Sequence, residues 1–284
     1  MSSLKRLMKR VLPPIAADWA LALRDRVGKA PLEYLPSWPN YTRGWNIESI
    51  AAMHERNWPG YLAALRDIVP LGIWHALPAG RHIGQWDVIN HNNIVSFAAV
   101  LGLAAQGQRK LSFLDWGGGV GNYGALTQAL MPDLQLDYHC QDMPVFCEVG
   151  RRNLPHAHFW SEPDACFHRC YDLVFAGSSL WAVRDWRGAL KKLSLATERF
   201  CFVNRMIFIE STPSFVSIQR PASAHGYATE YPLWILNRGE FLSAARDVGL
   251  EPVREFLVGH GPRIHRAPEE GTFRSFLFRP ANSR

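Results

Sequence analysis

An acid followed by glycines, Asp115-Trp116-Gly117-Gly118-Gly119-Val120-Gly121, closes a short apolar stretch at 111–116. Glycines at the carboxyl end of a strand let backbone approach a ligand, because no side chain stands between them. Two parsings are open. Gly119-x-Gly121-x-x-Gly124 is the spacing that seats a pyrophosphate on a helix N-terminus. Asp115-x-Gly117-x-Gly119-x-Gly121 instead starts with a carboxylate, which attracts a cofactor bearing an ammonium and a sulfonium and repels a pyrophosphate. A second acid, Asp142, ends the next apolar stretch in Gln141-Asp142-Met143-Pro144. Its carboxylate can accept hydrogen bonds from both ribose hydroxyls, with Met143 offered to an adenine face. Either cofactor contains adenosine, so that role fits both.

Further along, Ser178 and Ser179 end the fourth strand, where hydroxyl or backbone contacts to the far end of the cofactor are expected. Asn204 and Arg205 end the fifth strand and open on the same crevice. Arg205 can pair with an anionic substrate or form a salt bridge to Glu210 or Glu230. The connection at 211–237 is long and holds His225, Tyr227, Glu230 and Tyr231; long connections in compact domains serve as lids or binding loops. His225 is the first candidate for a general base and Glu230 the second, against surface roles for both. Tyr227 and Tyr231 can stack on a sugar or aromatic acceptor, or belong to the core. Cys166-x-His168-x-Cys170 and His156-x-His158 lack paired Cys-x-x-Cys spacing, so no metal is expected. The sequence has no Gly-x-Ser-x-Gly elbow and no lysine after the glycine loop of the kind that holds a nucleotide triphosphate.

The elements that must position these residues follow from periodicity. Strands are expected at 111–116, 134–140, 157–160, 171–176 and 200–208, alternating with helices at 122–131, 144–152 and 185–197. That alternation predicts an α/β fold with a mostly parallel sheet covered on both faces. A helix at 238–248 and strands near 252–258 and 272–279 close the chain as an antiparallel hairpin at one edge. Three regions result: a basic amphipathic segment at 1–30, a helical cap at 31–108, and a cofactor-binding core at 109–284. In the cap, 31–60 reads as loops and short helices, with helical periodicity at 60–69 and 91–105. Residues 1–30 carry +5 of the formal net charge of +6, so the body is close to neutral and offers nucleic acid no basic face. Leu4, Leu7, Met8 and Val11, interleaved with Lys5, Arg6, Lys9 and Arg10, describe a short cationic helix. It either lies on an anionic membrane through residues 1–14 or packs on its own domain. Five cysteines in a chain of this length fit a reducing compartment, and a cytoplasmic protein is expected.

The Asp115–Gly121 loop resembles motif I of class I S-adenosylmethionine (SAM) methyltransferases, and Asp142-Met143-Pro144 resembles the Asp-Leu-Pro element of small-molecule O-methyltransferases. With Gly177-Ser178-Ser179-Leu180-Trp181, Ile218-Gln219 and Glu230-Tyr231-Pro232-Leu233-Trp234-Ile235, the order is similar to that of a bacterial methyltransferase family associated with surface-polysaccharide gene clusters. The resemblance implies a Rossmann-like class I sheet with SAM held by Asp115, Gly117, Gly118, Gly119, Gly121, Asp142, Met143, Ser178 and Ser179. It implies methyl transfer to a hydroxyl or amine of a small molecule, with a sugar or glycan intermediate as acceptor. The Asn90-His91-Asn92-Asn93 run departs from the more charged helix start expected there. Two rivals stand beside this reading: an NAD(P)-dependent oxidoreductase acting on a nucleotide sugar, and a catalytically silent methyltransferase-like protein that binds a partner or glycan.

Overall fold

The computed structural model describes residues 31–40, 42, 44–68, 88–221 and 229–281. The first half runs β1 (Leu32–Leu35), α1 (Glu48–Arg66), α2 (Val88–Ala105), β2 (Lys110–Trp116), α3 (Asn122–Leu130), β3 (Gln135–Gln141), α4 (Pro144–Asn153) and β4 (His158–Trp160). The second half runs β5 (Tyr171–Gly177), α5 (Trp186–Leu195), β6 (Thr197–Ile209), β7 (Phe215–Gln219), β8 (Tyr231–Asn237), α6 (Arg238–Asp247), β9 (Leu250–His260) and β10 (Thr272–Pro280).

Five strands lie parallel in the order β4-β3-β2-β5-β6. β10 runs antiparallel on the other side of β6, and β9 pairs antiparallel with β10 on its far side. This is a Rossmann-like, mostly parallel sheet, with the expected hairpin closing one edge. Every residue of β2 after Lys110 is buried, as a central strand covered on both faces requires. Phe113, Phe175 and Phe202 pack on one face with Phe97 of α2, while Leu114, Val174 and Val203 pack on the other with Leu190 of α5 and Phe241 of α6. α2 is long and apolar enough to cross a membrane, yet its inner face is in this core. That places it as a packed helix of the domain.

Two expectations need correction. The region 211–237 is not one long connection, because β7 and β8 form an antiparallel pair within it, and β8 extends the far end of β6 at Phe208 and Ile209. β1 joins β7 antiparallel, so residues 32–35 of the cap belong to a sheet. The apolar residues of these strands mark them, but Pro213 and Pro232 mask the pattern. Likewise, α1 is one continuous helix through Pro59, where loops and short helices were expected up to residue 60. Proline removes a helix hydrogen bond, but burial of Ile50, Met53, Trp58 and Tyr61 outweighs that local cost. Those side chains pack on Val120 of the glycine loop and on Phe146 and Val149 of α4. The cap therefore rests directly on the loop.

One carboxylate fastens the sheet ends. Glu269, between β9 and β10, accepts hydrogen bonds from the backbone N–H groups of Glu210, Ser211 and Thr212 and from the Thr212 hydroxyl. Burial disfavours its charge, but those donors outweigh it and hold its carboxyl below the usual range. Its contribution is therefore present above the ordinary glutamate range and lost as pH falls through its lowered folded-state value. Glu269→Gln should cost about 1 kcal/mol in neutral chemical denaturation, allowing for solvent screening. The difference from the parent protein should vanish in acid.

Candidate cofactor cleft at the carboxyl ends of the strands

β2 ends at Trp116, and the chain turns through Gly117 (φ +75°) and Gly119 (φ +62°) before Gly121 starts α3. A Cβ on Gly117 would stand 2.3 Å from the Ser179 Cβ, so the turn closes against the end of β5 only without a side chain. A Cβ on Gly119 would meet nothing within 4 Å, which leaves open space above the loop at that point. The loop's N–H groups are largely taken. Gly117 and Gly118 donate to the Gln141 carbonyl (2.7 and 3.3 Å), Gly121 donates to the Gly118 carbonyl (3.1 Å), and Gly119 donates to Asp142 Oδ2 (2.7 Å).

Asp142 is thus at the end of β3, partly buried, with Oδ2 on Gly119 and Oδ1 accepting from its own neighbour Met143 N–H at 2.6 Å. Burial pushes its carboxyl up to about 6, opposed by the Met143 and Gly119 hydrogen bonds. Each oxygen keeps a lone pair directed away from the backbone. Met143, 43% exposed, caps α4 beside it.

Asp115 lies lower than sequence spacing suggested. It is wholly buried beneath Gly118, where a Cβ would stand 2.4 Å from its Cγ. Oδ2 accepts from the Tyr138 hydroxyl at 2.6 Å, while Oδ1 has no hydrogen-bond partner among the described residues. Burial raises its carboxyl to about 7, with the Tyr138 bond opposing and the Asp142 charge adding to the rise.

The serines differ from expectation. Ser179 Oγ donates to the Trp116 carbonyl (2.7 Å) and Ser178 Oγ to the Arg205 carbonyl (3.1 Å), so both hydroxyls tie strand ends together. Ser178 and Arg205 both adopt left-handed backbone (φ +57° and +54°), a conformation that side-chain-bearing residues keep only where the surroundings enforce it. Arg205 lies over the Phe273 ring at 5.4 Å. Glu230 is paired with Arg220 (3.3 Å), which also holds Glu33 (2.9 Å), so it clasps β7 and β1 rather than standing ready as a base. Tyr231 is buried against Trp45, ring centroids 4.1 Å apart, and is core. His225, Tyr227 and the cationic segment at 1–14 lie outside the described residues.

Sequence reasoning missed the contributions of the cap. Tyr61 of α1 donates to the Asn122 carbonyl (2.8 Å), and Asn93 of α2 donates to the Tyr123 hydroxyl (2.8 Å). Both pin the residues that follow the glycine loop. The signal was present in the asparagines of the Asn90–Asn93 run, which are hard to explain on a buried helix unless polar groups face them.

Asp137, His139 and His158 also converge, with their candidate ligand atoms within 4.8 Å of one another. The Trp160 indole N–H donates to His139 Nδ1 (3.3 Å), so the ring proton is on Nε2, facing Asp137 at 3.0 Å. Arg169 supplies a cation to Asp137 at 3.3 Å. Asp137, His139 and Trp160 thus form a hydrogen-bonded chain, and the His158 ring stacks on His139 with centroids 4.5 Å apart.

No family model matches the chain, and no curated protein matches it. Solved structures do. A 1,6-didemethyltoxoflavin-N1-methyltransferase from Burkholderia thailandensis, with its substrate and S-adenosylhomocysteine bound, is 12% identical over 89% of this chain and 100% of its own, TM-score 0.47. A magnesium protoporphyrin IX methyltransferase from Synechocystis, with S-adenosylhomocysteine bound, is 14% identical over 70% and 90%, TM-score 0.44. A SAM-bound amino pentose methyltransferase from Micromonospora echinaspora is 11% identical over 68% and 92%, TM-score 0.39. The fold rests on the strand order described above, not on these alignments.

Proposed function

We propose that this protein is a SAM-dependent methyltransferase acting on a small molecule. The observation that carries the reading is where the glycine-loop amides point. Four of them are engaged by Gln141, Gly118 and Asp142, which leaves few of the loop's own N–H groups to cradle a pyrophosphate. Two carboxylates, Asp115 and Asp142, border the same loop, and a dinucleotide phosphate there would meet negative charge. A cofactor with a ribose and a cationic amino-acid end fits both. Asp142 presents lone pairs to the ribose hydroxyls, the gap above Gly119 admits the chain that follows, and Asp115 Oδ1 is an acceptor in want of a donor. Bound there, SAM supplies an electrophilic methyl group.

The chain's own residues do the rest. The Ser178–Trp181 turn and the Asn204–Arg205 bend close the acceptor side of the crevice, and positioning is the main catalytic contribution. A hydroxyl acceptor would call on a base, for which His225 is the remaining candidate; an amine would need none once neutral. A sugar or glycan intermediate as acceptor, and membrane contact through residues 1–14, rest on sequence alone. Five free thiols fit a cytoplasmic setting.

Calorimetry with S-adenosylhomocysteine and with NAD(P) tests the proposal. Binding of S-adenosylhomocysteine alone is expected. Binding of NAD(P) alone would replace this reading with the oxidoreductase, and binding of neither would leave a silent methyltransferase-like protein.

A further inference from the structure

Asn204 is wholly buried at the carboxyl end of the parallel sheet, level with Gly177 of β5. The Arg205 backbone N–H donates to Ser275 Oγ at 3.1 Å, and Ser275 Oγ donates to Asn204 Oδ1 at 2.5 Å. That pair of bonds fixes the amide's orientation and turns Nδ2 away from Ser275. Nδ2 has no hydrogen-bond partner among the described residues. The pairing of β6 with β10 slips at this point, from Met206 opposite Arg274 to Val203 opposite Phe276, so Asn204 and Arg205 together face Ser275. Bulges of this kind re-aim side chains beside binding sites.

A second observation marks the same end of the sheet. On α2, Asn90 and Asn93 are buried (4% and 6% exposed) while Val88 and Val95 face outward (66% and 45%). Asn90 and Asn93 thus turn polar groups inward at the start of the helix beside Ile94, and the inner face is apolar from Phe97 through Val100 and Leu101. Asn93 reaches Tyr123, whose ring lies 4.5 Å from Phe175 and packs with it against Gly177 at the end of β5. Helices bury polar side chains in this inverted way where a site needs them.

Resting on the methyl-transfer reading above, we propose that Asn204 is a specificity-determining residue whose Nδ2 donates to an oxygen of the methyl acceptor. Nδ2 only donates, and the guanidinium of Arg205, next in the chain, also only donates. The complementary group is one that only accepts: a carboxylate or carbonyl oxygen near the atom to be methylated. An ammonium at that point would set N–H against N–H. Acceptors of the carboxylate or carbonyl class are therefore selected over those with a cation there.

The test uses the full chain saturated with S-adenosylhomocysteine, with benzoate and benzylamine as probes that differ only in the charged group. Benzoate should bind in preference to benzylamine. Asn204→Leu should leave S-adenosylhomocysteine affinity within about twofold and weaken benzoate at least about tenfold. Asn204→Asp, which replaces the donor with an acceptor, should lose benzoate as well, and it decides the matter if the leucine variant does not fold. A lower melting temperature with unchanged benzoate binding would make Asn204 merely structural. Preference for benzylamine, or binding of neither probe, would overturn the acceptor class. Failure of the parent protein to bind S-adenosylhomocysteine would instead sink the methyl-transfer reading itself.

Discussion

Asp142→Ala should lower the affinity for S-adenosylhomocysteine by roughly 10²- to 10³-fold, the loss expected from two hydrogen bonds to an ionised carboxylate. The effect has two sources. The alanine offers nothing to the ribose hydroxyls, and it also releases the Gly119 and Met143 N–H groups that Asp142 now holds at 2.7 and 2.6 Å. Asp142→Asn separates them. Its oxygen can still accept from Gly119, but its NH2 would face the Met143 N–H, so an intermediate loss is expected. The pH dependence follows from the same group. Burial raises the Asp142 carboxyl to about 6, and a protonated carboxyl has less acceptor capacity to offer the ribose. Affinity should therefore be flat above neutrality and fall as pH drops below about 6. Calorimetry across pH 5 to 8 checks this, and unchanged affinity in Asp142→Ala would remove the residue from the site.

Much of the core was legible because its signals are local. β2 and β5 are largely apolar stretches that run into glycines, and β3 alternates polar and apolar residues up to Asp142, so each strand end is marked locally. Asp142 could be placed for the same reason, since one strand end and one helix start fix it. β1, β7 and β8 were not legible. Each is short, and what makes them strands is pairing between residues near 33, 217 and 233, a separation no local pattern encodes. Only the part of α1 after Pro59 was expected as a clear helix, because Pro59 is a strong local breaker, while Trp58 and Tyr61, which hold the helix together, act through contacts with Val120 and Phe146. The direction of side chains at the site was the hardest to read. Ser178, Ser179 and Glu230 have the right chemistry for ligand contacts, but their side chains already bond to Arg205, Trp116 and Arg220. Asn93 and Asn204 could be marked by position, as part of an odd polar run and at a strand end, but their direction became readable only once burial showed polar atoms with nothing to bind.

Asp115 makes that argument in its strongest form, because a buried carboxyl with one unpartnered oxygen is a liability that a ligand must relieve. The groups facing it are Tyr138 and Cys140 of β3, Asp142 at its end, Tyr123 of α3 and Tyr61 of α1, none of them cationic. Its carboxyl is raised to about 7. The unfolded chain releases that proton near pH 4, whereas the folded chain keeps it until about 7. The folded state binds more protons over that interval, so its stability should fall as pH rises from 4 to 7 and level off above. Asp115→Asn removes the titration and should flatten that slope, gaining up to about 4 kcal/mol over the parent at pH 8. Going further, Asp115→Leu combined with Tyr138→Phe replaces both partners of the buried hydrogen bond with apolar groups, which is neutral to stabilising in a core. Denaturant melts of the ligand-free proteins read this directly. Both variants should nonetheless lose S-adenosylhomocysteine affinity by at least about tenfold, since neither keeps a carboxylate beneath Gly118 to receive the ammonium end. A protein made more stable and less able to bind is what a functional carboxylate predicts. Lower stability with binding intact would show Asp115 to be a brace for Tyr138 and nothing more.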